Sequence, residues 1–149
     1  MSNLPVLFSQ EKMPVTAAFK SELMRGGFQV EYDQKLIPVD SLNAIIAEAD
    51  QYLKPAAKET VLNWAEMLVG SYPSNQVKEP KIYIRSLIFD MQDFPEDIIE
   101  IAVHKIRREC KWIPSCAEVY QKCNEMFVAR SAVKSRALNQ LKEWDRREK

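Results

Sequence analysis

The chain has 149 residues, 46% of them hydrophobic and 28% charged, which suits one globular domain with a real core and excludes global disorder. Formal charge sums to zero, so bulk electrostatics selects neither nucleic acid nor an anionic surface. The three cysteines (Cys110, Cys116, Cys123) are odd in number and clustered, unlike a secreted disulfide framework. With no signal-like leader and no apolar run of about 20 residues, a cytoplasmic protein without membrane spans is expected.

In chain order, residues 1–14 read as an extended arm ending at Met13-Pro14. Thr16 to Arg25 suits a short helix stopped by Gly26-Gly27, and Phe28, Val30 and Tyr32 alternate as in a short extended segment. From Pro38 on, the pattern is helical. Asp40 or Ser41 is placed to cap a helix with Leu42, Ile45, Ile46, Ala49 and Leu53 on one face. Pro55 suits the first turn of the next helix, whose apolar face carries Trp64 and Leu68, and Gly70 is placed to end it in a left-handed conformation.

Pro80 opens a third helix, apolar almost all round and so expected to be central. Asp93 is the expected N-cap of a fourth, with Ile98, Ile99, Ala102, Val103, Ile106 and Cys110 as its buried face. After Lys111-Trp112-Ile113-Pro114, Ser115 and Glu118 form a capping box. No Gly or Pro follows, so one helix can run to the end of the chain. The prediction is an all-α, compact bundle of about five helices with an extended N-terminal arm and a long C-terminal helix. The expected divisions are an arm with a short helix (1–39), a helical core (40–127) and a basic amphipathic extension (128–149).

Charge is unevenly placed. Residues 1–104 hold nine Lys/Arg against fifteen Asp/Glu, and residues 105–149 hold twelve against six. Such asymmetry suits either an acidic partner or a solvated basic face. The last helix carries Val133, Ala137, Leu141 and Trp144 as a thin apolar stripe among basic residues including Arg136, Arg146 and Arg147. A helix of about 50 Å exceeds what one small core covers, so its tail is expected to project and grip a partner. Arg107, Arg108, Lys111 and Trp112 form a second basic segment. There Trp112 fits a hydrophobic plug at a helix corner better than a platform for stacking.

The chemistry of catalysis finds little support. His104 is the only histidine. Cys116 and Cys123 lie about 10 Å apart along a helix, too far to share a tetrahedral zinc. Three glycines cannot build a phosphate-binding loop. The residues therefore predict no catalytic site, no cofactor and no metal.

Residues 64–124 resemble the small phage-encoded proteins that load or inhibit a replicative helicase. The resemblance is carried by Trp64, Ser71-Tyr72-Pro73, Tyr83-Ile84-Arg85-Ser86-Leu87, Phe94-Pro95-Glu96-Asp97 and Trp112-Ile113-Pro114-Ser115-Cys116-Ala117-Glu118-Val119. It implies a non-catalytic protein-binding factor in DNA replication that engages a hexameric replicative helicase and hydrolyses no ATP. The first 40 residues have no counterpart in it.

Two other readings follow from the residues alone. One is a helical protein that binds nucleic acid directly through its basic segments, with affinity falling steeply in salt. The other is a self-assembling protein that uses the C-terminal stripe as a seam. The candidate partner contacts are Arg107, Arg108, Lys111, Trp112, Arg136, Leu141, Trp144, Arg146 and Arg147.

Overall fold

The computed structural model describes residues 36–148; the expected arm, short helix and extended segment before residue 36 lie outside them. The described residues form five α-helices and one 3-10 turn, with no strand. The helices are α1 (Val39–Tyr52), α2 (Lys58–Gly70), α3 (Pro80–Met91), α4 (Glu96–Glu109) and α5 (Cys116–Glu148), with the 3-10 turn at Ser74–Gln76. The all-α class and the long C-terminal helix are as expected. The described residues divide into two units, Lys54–Phe127 and α1 with the part of α5 from Val128 onward. This differs from the expected division, which placed α1 in the core with α2–α4.

In the unit Lys54–Phe127, α2 packs on α3 and α4. Val61, Ala65 and Leu68 recur every three or four residues on α2. They meet Leu87 and Met91 of α3, the apolar face of α4, and Val119 and Cys123 of α5 in one buried cluster. Phe94 sits against Phe127 and Tyr120, with ring centroids 5.4 Å away in each case.

Several helix ends depart from the sequence rules. Helix α2 begins at Lys58, leaving Pro55 in the connection, because the next N–H, that of Ala56, is drawn into a bond with the Phe94 carbonyl at 2.9 Å. The end of α2 uses no left-handed glycine. Ser71 stays right-handed (φ −81°, ψ −7°), and the amides of Ser71 and Tyr72 bond back to Leu68 and Val69. Asp93 is not the cap of α4. Pro95 occupies that position without a side-chain bond, and Glu96 and Asp97 supply negative charge in the first turn instead.

Helix α3 is not central. Pro80 takes its first position as expected. Only Leu87 and Met91 are buried, while Ile82 and Phe89 are 56% and 71% exposed. The capping box of α5 is formed: the Glu118 amide donates to Ser115 Oγ at 3.2 Å, and the Ser115 amide donates to Glu118 Oε1 at 3.3 Å.

In the other unit, Leu42, Ile45, Ala49 and Tyr52 of α1 close on Val133 and Ala137 of α5, with Leu141 and Trp144 packed against the cluster. The stripe expected to project is therefore the partner of α1. On each helix a stripe of apolar positions recurs at helical spacing, and each buries that stripe on the other. The two run antiparallel, with Ile37 beside Gln140 and Trp144 at one end and Tyr52 beside Arg130 at the other.

Polar groups fix the register of this pair. The Ile37 amide donates to Gln140 Oε1 at 2.9 Å, and Trp144 Nε1 donates to the Ile37 carbonyl at 2.8 Å. Side chains one helical turn apart thus hold both backbone groups of one residue. At the far end, buried Arg130 donates to the Tyr52 carbonyl at 2.8 Å, placing a cation where the α1 dipole is negative. Lys134 pairs with Asp50 at 2.6 Å. No side chain caps the start of α1: Pro38 precedes the helix and Asp40 lies within its first turn.

Candidate functional site

Four predicted contact residues gather where α4 gives way to α5. Arg107 and Arg108 lie in the last turn of α4, where positive charge is favoured by the exposed carbonyls. The helix stops because Cys110 turns extended (φ −103°, ψ 115°) while its amide still bonds to Ile106 at 2.8 Å.

The loop that follows is fastened at nearly every step. Tyr72 donates its hydroxyl to the Cys110 carbonyl at 2.9 Å and, more weakly, to Ile106 at 3.3 Å. Gln76 Oε1 accepts the Ile113 amide at 2.7 Å. The Tyr83 hydroxyl donates to the Pro114 carbonyl. Burial raises both phenols above their ordinary pKa, most strongly at Tyr83, which keeps them in the protonated form that a donor requires. The capping box holds Ser115.

Pinned at its ends and centre, the loop presents Lys111 and Trp112 outward. Trp112 is 68% exposed, and the Lys111 ammonium lies 5.9 Å from the indole centroid. The expected corner plug is thus corrected: the plug at this corner is buried Pro114, and Trp112 faces solvent. Arg107 is oriented too. Its guanidinium lies 3.0 Å from His104 Nδ1, and the imidazole ring stands edge-on to Trp64 at 5.3 Å.

The other predicted contacts, in the α1-containing unit, have internal work. Arg136 is buried, and Leu141 and Trp144 pack against the α1 cluster. Arg146 and Arg147 are exposed but bound to Glu143, through bonds of 2.8 Å from Arg146 Nε and 3.1 Å from Arg147 Nε. These hydrogen bonds, that from Arg146 foremost, lower the Glu143 pKa to about 2. The projecting basic grip and the seam for self-assembly are both replaced by an intramolecular helix pair.

Cys123 lies in the apolar core, and burial pushes its thiol up to about 12, which keeps it neutral. Cys116 is raised by burial as well and contacts the Tyr83 carbonyl at 3.9 Å. Among the described residues, no group of three His, Cys, Asp or Glu is placed to hold a metal ion. No helix there is long and apolar enough to cross a membrane.

The sequence reading did not foresee the ties at Tyr72, Gln76 and Tyr83. The tyrosines fall in segments singled out by the resemblance, whereas nothing in the local pattern marks Gln76. No protein-family model, curated protein or solved structure matches the chain.

Proposed function

We propose that this chain is a non-catalytic protein-binding factor of DNA replication, a loader or inhibitor that engages a hexameric replicative helicase in the cytoplasm. The observation that carries the reading is the fastened corner at Arg107, Arg108, Lys111 and Trp112. Its loop lies inside the segment on which the resemblance rests, and two of the tyrosines that hold it, Tyr72 and Tyr83, belong to the other matching segments. A rigid, exposed tryptophan among arginines is the composition of a binding hot spot. Rigidity lowers the ordering cost of association, and the cations favour an acidic rim on the partner.

The test is co-sedimentation of the full chain with a hexameric replicative helicase at low salt. A complex at micromolar concentration is expected, with Trp112→Ala weakening it about tenfold or more. Absence of a complex rejects the reading. A complex indifferent to Trp112 rejects the corner as its contact.

The same exposed indole and cations also suit direct binding of single-stranded nucleic acid. That reading predicts affinity that falls steeply with salt as counterions are released. Weak or salt-insensitive binding eliminates it.

A further inference from the structure

Among the described residues, the outward face of α3 takes no part in the buried core or in the corner. Tyr83, Leu87 and Met91 anchor one side of the helix, the first to the loop at Pro114 and the other two in the core. The opposite side carries Lys81, Ile82, Arg85 and Phe89, all exposed. At about 100° per residue these four fall within an arc roughly 100° wide. Ile82 and Phe89 are 56% and 71% exposed, more than the helix needs to give up. Neither Lys81 nor Arg85 enters an ion pair with a described residue. Asp90 lies outside the arc and is half-buried, so no carboxylate on the helix neutralises the stripe.

We propose that this face docks an acidic amphipathic helix of a partner protein. Apolar residues seven apart match the seam that a second helix offers over two turns, the recognition mode in which i, i+3, i+4 and i+7 positions act as anchors. The two flanking cations call for carboxylates beside that seam, and such complementarity selects partner and orientation. A second copy of this chain is a poor occupant, because pairing α3 with itself would bring the Lys81 and Arg85 stripes together. Nucleic acid is a poorer one, since phosphate gains nothing from Ile82. This assignment does not depend on the helicase reading: it uses another element and no residue of the corner.

The experiment measures fluorescence anisotropy of a labelled peptide of about four helical turns, titrated with the full chain. Its leucines lie on one face, flanked by glutamates. Micromolar binding is expected, weakened about tenfold or more by the pair Arg85→Glu and Phe89→Ser. Trp112→Ala should leave it unchanged. Replacing the peptide's glutamates with lysines should abolish binding to the natural chain. Lys81→Glu with Arg85→Glu should then restore binding of the lysine peptide, which an unfolded variant could not do.

The proposal is overturned if the glutamate peptide fails to bind, if the α3 variants bind it equally, or if charge exchange gives no rescue. Displacement of the peptide by a single-stranded oligonucleotide would assign the face to nucleic acid instead. A change in the sedimenting mass of the free chain on Phe89→Ser would assign it to a second copy.

Discussion

The two units solve the same problem with opposite means. The unit Lys54–Phe127 is continuous in sequence, and its core is almost entirely hydrocarbon, with Asp97 the one buried charged side chain. The other joins α1 to residues about 80 positions later, and it buries Arg130, Arg136 and Gln140 beside a short apolar seam. Apolar burial is non-directional and tolerates sliding. Buried polar groups do not, because each must meet its partner. The local unit is held by area, and the long-range one is held in register by named hydrogen bonds.

The largest test removes one side of the long-range pair. Truncation after Phe127 removes the α5 face that covers α1, a helix of 14 residues of a length that is marginal alone in water. Its amides should exchange hydrogen as freely as unstructured backbone, while those of α2–α4 stay protected. Protection retained throughout α1 would show that its stability does not come from α5.

A smaller effect should follow from loosening the grip on Ile37. Trp144→Phe and Gln140→Leu each remove one hydrogen bond to that residue and should each cost about 1 kcal/mol in denaturant unfolding. Because both act on a single residue, the double variant should cost less than the sum. Full additivity would mean that the two bonds act independently.

The smallest effect is at the solvent edge. The Glu143 carboxyl is held at about 2 against an ordinary 4.5. Its contribution is therefore present above the unfolded value and lost as pH falls from about 4.5 towards 2. Glu143→Gln should slightly lower α5 helicity at neutral pH, flatten its acid dependence in that window, and leave the two chains alike once pH falls to about 2. An unchanged acid limb would show that the pair with Arg146 and Arg147 adds no stability.

This contrast also explains what the sequence made legible. Helix α4 was readable because Ile98, Ile99, Ala102, Val103 and Ile106 repeat with helical period on a single face. The start of α5 was readable because proline and a capping box act within four residues. The pairing of α1 with α5 was not. Leu42, Ile45 and Ala49 predict an apolar face, but nothing local says whether α2–α4 or Val133 and Ala137 will cover it. The same limit misplaced Trp112 and overstated α3: hydrophobicity along a helix shows what can be buried, and tertiary packing decides what is. The corner's basic residues were found from composition, while Gln76, which holds Ile113, was invisible because its bond spans 37 residues.

The shared helix has a consequence for how the chain is made. As the polypeptide leaves the ribosome, α1 emerges with Leu42, Ile45 and Tyr52 uncovered, and Val133 is roughly 80 residues behind. At translation speeds of about 5–20 residues per second, that delay is on the order of ten seconds. The stretch Lys54–Phe127 can condense during the interval, but α1 must wait until Val133 and Ala137 have followed. A nascent chain stalled before Val133 would display its sticky helix to any chaperone at the exit.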